Sequence, residues 1–139
     1  MTMRVLGYIF AAAALLLAPV SCEKTETVDT REFALYYMGL GKIHPGEGAA
    51  VTPSYIGPAP TGFEIYAISR NGVAYYNPKL DGPIGPNYPF QVDPSSGTFR
   101  IQNTSNLKDG KYVVSISCMA AGKKWEYPDA VTVNMLKAN

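Results

Sequence analysis

Cysteine is almost missing from this chain of 139 residues: only Cys22 and Cys118 occur, so no disulfide framework is available and cohesion must come from packing. Histidine is scarcer still. His44 is the only one and lies in a Gly/Pro-rich loop, so Ser–His or Cys–His catalysis would hang on a single solvated residue. An excess of one charge is lacking too, with 12 Lys/Arg against 11 Asp/Glu and no basic cluster beyond Lys123-Lys124. That removes the electrostatic footprint of a nucleic-acid binder. No apolar run is long enough to cross a bilayer: Val5–Val20 spans about 16 residues against the ~20 required. Helical periodicity is also wanting, since no window offers an amphipathic helix of three turns and the many prolines argue against a long one.

What is present begins with Arg4, the apolar run and the small residue Ser21 before the thiol of Cys22, which together read as an export signal. Val20-Ser21-Cys22 resembles the end of a bacterial lipoprotein signal, with Pro19 where that family usually has Leu. The resemblance implies that residues 1–21 are removed, that Cys22 is acylated, and that the lipid holds the protein at the outer membrane. Two or more chains anchor stably, at about 0.8 kcal/mol per buried methylene. Cys118 is then left without a partner. Arg4 is the only charge lost, leaving 11 Lys/Arg against 11 Asp/Glu in 118 residues. That length suits one domain burying roughly two-thirds of its unfolded surface. Residues 22–31 are polar and aperiodic, a tether reaching roughly 30 Å. The acidic residues of Glu23-Lys24-Thr25-Glu26-Thr27-Val28-Asp29 resemble the signal that sends Bacteroidetes lipoproteins to the cell surface, although Lys24 and Thr25 interrupt it.

Residues 32–139 carry a period of two. Phe63, Ile65 and Ala67 alternate with Glu64, Tyr66 and Ile68; Phe90 and Val92 flank Gln91; Phe99 and Ile101 flank Arg100. Tyr112, Val114, Ile116 and Cys118 form the longest such series, and Val131, Val133 and Met135 the last. With Glu32–Tyr37 and Ala49–Tyr55, and turn residues between them, these predict an all-β, antiparallel β-sandwich of about seven strands. Leu107-x-x-Gly110-x-Tyr112-x-Val114-x-Ile116 resembles the tyrosine corner of immunoglobulin-like sandwiches. Phe90-x-Val92-Asp93-Pro94-Ser95-Ser96-Gly97-Thr98-Phe99-x-Ile101 resembles the cadherin hairpin. Over residues 50–136 the chain resembles the cadherin-like or Ig-like modules of Bacteroidetes surface lipoproteins. That resemblance implies an accessory of polysaccharide capture, or an adhesion or envelope-assembly component.

Chemistry offers few footholds. Calcium needs clustered oxygens, whereas Asp93 and Asp129 stand alone, one capping a turn and the other opening a strand; no metal and no cofactor are expected. Cys118 shares the buried register and behaves as a small hydrophobe. Gly39-Leu40-Gly41 lacks the strand–helix unit of a phosphate loop. A small fold with little concavity disfavours a two-carboxylate cleft, so no catalytic residue is expected. Aromatics are the enriched resource. Tyr75, Tyr76 and Tyr88 sit in the Pro/Gly-rich connection 71–89, where they either present flat faces to a sugar or plug the open edge of the sandwich. Trp125, between Lys124 and Glu126, is a further stacking candidate, yet it and Tyr127 share register with Val131, Val133 and Met135 and point inward unless Pro128 introduces a bulge. The reading is a lipid-anchored, non-enzymatic binding module at the outer membrane or cell surface, capturing glycan through exposed tyrosines. The alternative is a structural or adhesion subunit of an envelope protein complex.

Overall fold

Alternating side chains set the strands, and the departures from alternation set the shape. The computed structural model describes residues 33–138, so the signal at 1–21, Cys22 and the tether lie outside the described residues. Among those described are ten strands: β1 Ala34–Tyr36, β2 Lys42–Ile43, β3 Ala49–Val51, β4 Ser54–Ile56, β5 Thr61–Arg70, β6 Val73–Tyr76, β7 Phe90–Val92, β8 Phe99–Ile101, β9 Gly110–Ala120 and β10 Lys123–Met135. A single helical turn, α1 Pro78–Asp81, follows β6. Strands occupy all the stretches expected. Ala49–Tyr55, expected as one strand, is split into β3 and β4 around Thr52-Pro53, and the two further strands, β2 and β6, hold only two and four residues.

One sheet has the order β2-β10-β9-β5-β6; a second has β3-β8-β7, and β1 pairs with β4 in a separate ribbon. Pairing is antiparallel in the long ladders, but β2 lies parallel to β10, with Lys42 opposite Asn134 and Ile43 opposite Met135. This corrects the purely antiparallel expectation. No hairpin joins β2 to β10, so no turn imposes their relative direction. Phe63, Ile65, Ile68, Tyr112, Val114, Ile116, Val131 and Val133 from the first sheet are buried with Phe90, Phe99 and Ile101 from the second. Across the gap the Phe90 and Tyr112 rings lie 5.2 Å apart. Each such side chain contributes about 1.5–3 kcal/mol on burial.

Bulges alter the simple alternation, and two of them decide which side chains face the core. Ser115 pairs with Ala67 and Ile116 with Ile65, so Tyr66 is an extra residue in β5. The expected inward Ala67 therefore turns out and Ile68 takes the core position at 2% exposure. In β10, Val131 stands opposite Val114 but Tyr127 opposite Ile116, which inserts two residues around Pro128. An even insertion keeps the face, so Trp125 opposite Cys118 and Tyr127 opposite Ile116 remain on the inner side. Ser115 Oγ donates to the Pro128 carbonyl at 2.7 Å and fixes the kink. Met119 lies on the outward phase and is 43% exposed.

Both local motifs take the form their residues imply. The Tyr112 hydroxyl donates to the Lys108 carbonyl at 2.7 Å, closing the corner at the start of β9. In the β7–β8 turn, Asp93 Oδ1 accepts from the backbone N–H groups of Ser95 and Ser96 at 2.8 and 3.0 Å. Gly97 holds a φ of +78°, and a Cβ there would stand 2.6 Å from the Phe63 ring. The Tyr37 hydroxyl reaches across to donate to the Gly97 carbonyl at 2.6 Å.

Candidate functional site

The connection from β6 to β7 is ordered by its own chemistry. Asn77 caps α1, its side chain accepting from Lys79 N at 2.9 Å, while Asp81 Oδ2 accepts from Asn77 N at 2.8 Å and Pro78 presets the first turn. Beyond the turn, side-chain amides hold the extended chain. Gln91 Nε2 donates to the Gly85 and Tyr88 carbonyls at 2.7 and 3.0 Å, Gln102 Nε2 to Pro86 at 3.1 Å, and Asn103 Nδ2 to Asn87 at 3.0 Å.

The three tyrosines expected here come together, but as a packed series of rings. Tyr76 and Tyr88 centroids lie 4.8 Å apart, Tyr88 and Phe90 5.9 Å, and Tyr75 meets Tyr112 edge-on at 5.2 Å. The Tyr76 hydroxyl donates to the carbonyls of Gly82 and Pro83. Burial raises the Tyr88 phenol well above its ordinary range, with the neighbouring tyrosines adding to the shift, and pushes Tyr112 up to about 12. Tyr76 and Tyr88 thus brace the loop and close the sandwich edge. Tyr75 keeps a face in solvent at 41% exposure. Trp125 is not part of this group. Its partner Cys118 stands six residues from Tyr112 along β9, roughly 20 Å, and its indole N–H donates to the Ala120 carbonyl at 2.8 Å.

Between the braced loop and the sheets lies a groove of about 460 Å³. It opens where β6 stops covering β5, since β6 pairs only with Ile68–Arg70, and where β7 is the outer strand of its sheet. Phe63 N–H donates to the Pro94 carbonyl at 3.0 Å and joins the two sheets beside it. Ile65, Pro83, Ile84 and Val92 give apolar walls, and Glu64 and Gln91 supply polar groups. The Gln91 amide nitrogen is committed to the loop, which leaves its carbonyl oxygen and the Glu64 carboxylate as acceptors. Such a surface takes a ligand that donates hydroxyls and carries an apolar face. Sequence reasoning missed Glu64 and Gln91; their polar phase in otherwise apolar strands on either side of a long Pro-rich connection was the available signal.

His44 lies in its loop, Nδ1 3.2 Å from Glu47 Oε1. Cys118 is 1% exposed and burial raises its thiol pKa. Among the described residues no three His, Cys, Asp or Glu converge as a metal site. The Asp93 carboxylate is engaged by Ser96 and Ser95, whose N–H groups hold it below the usual carboxylate range.

A two-sheet sandwich with a tyrosine corner and a groove at its open edge defines an immunoglobulin-like module. Over residues 20–139 the chain matches the family described as surface glycan binding protein BT4661-like, N-terminal, and it belongs to that family. BT4661, a SusE-like surface-located polysaccharide-binding protein from the Bacteroides thetaiotaomicron heparin utilisation locus, is similar at 28% identity and a TM-score of 0.62. The match covers 75% of this chain and 16% of that one, so the chain spans about a sixth of that relative. Murine CRIg is more remote (9% identity, TM-score 0.44, 76% of this chain and 98% of that one), as is the titin M3 domain (13%, 0.38, 76% and 97%). No curated protein matches the chain.

Proposed function

We propose that this chain is a lipid-anchored, surface-facing, non-enzymatic module that captures polysaccharide. The observation that carries the reading is the 460 Å³ groove, with acceptors on Glu64 and Gln91 beside apolar walls on a braced loop. Family membership and the surface location and polysaccharide binding of BT4661 support it. In this reading Tyr76 and Tyr88 position the loop, and the exposed face of Tyr75 adds one stacking ring. A ring of this kind contributes about 1 kcal/mol, so affinity is weak unless several sugar units engage at once. Glu64→Gln with Gln91→Ala should cut retention on a polysaccharide column at least tenfold while leaving the circular-dichroism spectrum intact. Undiminished retention would remove the groove from the reading. Acylation at Cys22 is tested by labelled palmitate, lost in Cys22→Ala, and surface exposure by protease shaving of intact cells.

A second reading, a structural or adhesion subunit, is favoured by the β1–β4 ribbon, where Ile56 is 70% and Tyr36 64% exposed. It predicts a stoichiometric envelope protein that co-purifies in mild detergent and is lost with Ile56→Asp.

A further inference from the structure

A second groove of about 210 Å³ opens where Leu35–Tyr37 pass the kinked stretch of β10, lined by Leu35, Tyr36, Tyr37, Tyr127, Asp129 and Ala130. Half of its walls are tyrosine, and the three hydroxyls are used differently. Tyr37 donates to the Gly97 carbonyl, and Tyr127 is half-buried, burial raising its phenol above the ordinary range. Tyr36 is 64% exposed and offers solvent a flat apolar face with a polar tip. Asp129 owes its place to the two residues inserted in β10, and the Ser115–Pro128 hydrogen bond keeps that insertion in shape. A bulge of this kind re-aims side chains away from the ladder. The ionised carboxylate is acceptor-only, and its two oxygens suit hydroxyls on adjacent carbons.

We infer that this groove is a one-ring subsite for a neutral hexose, with Tyr36 stacked on the sugar's C–H face and Asp129 accepting from neighbouring hydroxyls. The inference rests on the glycan-capture reading above and adds to it a separate place of contact and a class of sugar. Separation follows from topology: β10 and β5 flank β9 on opposite sides, so the two grooves open on different parts of the molecule. Size sets the one-ring limit, because pockets for larger ligands run about 300–1,000 Å³ against the 210 Å³ here. Charge sets the class. Asp129 is the one charged residue in the wall, and its carboxylate is anionic. A sulfate brought about 4 Å from that carboxylate is repelled, which even at the dielectric of water lowers affinity about fivefold. Lys124 is the nearest basic residue along β10 and sits three positions from Tyr127, about 10 Å away.

The test uses the full chain in detergent and ligand-detected saturation-transfer NMR, with methyl glucoside, galactoside and mannoside and their 6-sulfated counterparts as probes. At least one neutral glycoside should bind. Tyr36→Ala and Asp129→Asn should each weaken it at least tenfold, Tyr36→Phe should leave it unchanged, and the 6-sulfate should bind at least fivefold more weakly, a handicap relieved by Asp129→Asn. Both lost-contact variants change exposed residues, so circular dichroism should not move. Binding that survives Tyr36→Ala and Asp129→Asn but falls with Glu64→Gln and Gln91→Ala overturns this subsite and leaves glycan capture standing. Equal or tighter binding of the sulfated probe overturns the neutral class. Absence of binding to every glycoside and to the polysaccharide column overturns both readings together.

Discussion

Replacing Gly97 by alanine tests how the two sheets are locked. The residue holds a φ of +78°, where an alanine is disfavoured by about 1–2 kcal/mol. Its new Cβ would also stand 2.6 Å from the ring of Phe63, a side chain only 2% exposed and without room to retreat. Crowding a filled core in this way costs about 1–3 kcal/mol. The two effects together predict a loss of about 2–5 kcal/mol, a large part of the 5–15 kcal/mol typical of a domain. Gly122 provides the control, since its φ is +72° and a Cβ there meets nothing within 4 Å. Gly122→Ala should therefore lose only the backbone part. Thermal unfolding followed by circular dichroism reads the difference at about 4 °C per kcal/mol for a domain near 100 residues. Equal melting temperatures for the two variants would refute the claim that Phe63 occupies the space beside Gly97.

Three further outcomes are expected. Tyr112→Phe removes the bond to Lys108 O and should lower stability by about 1 kcal/mol in urea without changing the fold, because the freed carbonyl can be rehydrated. Ala121→Asn should raise stability by about 0.5 kcal/mol, since Ala121 sits at a φ of +52° in the β9–β10 turn and Asn tolerates that region better; an unchanged urea midpoint would count against it. For Asp93 the folded pKa lies below the unfolded one, so its stabilisation is complete above the unfolded value and fades as pH falls through the folded value. Asp93→Asn should flatten the acid limb of the stability profile below about pH 4, while the similarly lowered Glu47 keeps its own share; an unaltered limb refutes the assignment.

The elements legible in the sequence are those whose information is local. Tyr112 with Gly110 marked the corner, and Asp93 and Gly97 marked the hairpin, because each turn is built by residues within a few positions of one another. What was illegible depends on distant partners. Ala67 and Ile68 exchange faces through a bulge that the apolar pattern does not encode. The start of β10 at Lys123 was hidden because Ala121-Gly122 is a weak turn signal, Ala being unusual at positive φ. At the site, the tyrosines of the long connection could be found but not their use, since whether Tyr76 and Tyr88 face water depends on Phe90 and Gly82. Glu64 and Gln91 share a groove only after two sheets stack, and Asp129 is set apart only by an insertion whose evenness preserves the face of Trp125.

The parallel pairing of β2 with β10 has a mechanical consequence. Leu136 N–H adds a bond to the Ile43 carbonyl at 2.8 Å, so the last strand is held on one side by β9 and on the other by β2. Traction applied ahead of Lys42 and beyond Met135 drags these two parallel segments past each other lengthwise. Their links then share the load and resist as a group, whereas an antiparallel pair gripped at the same end would open like a zip, one rung at a time.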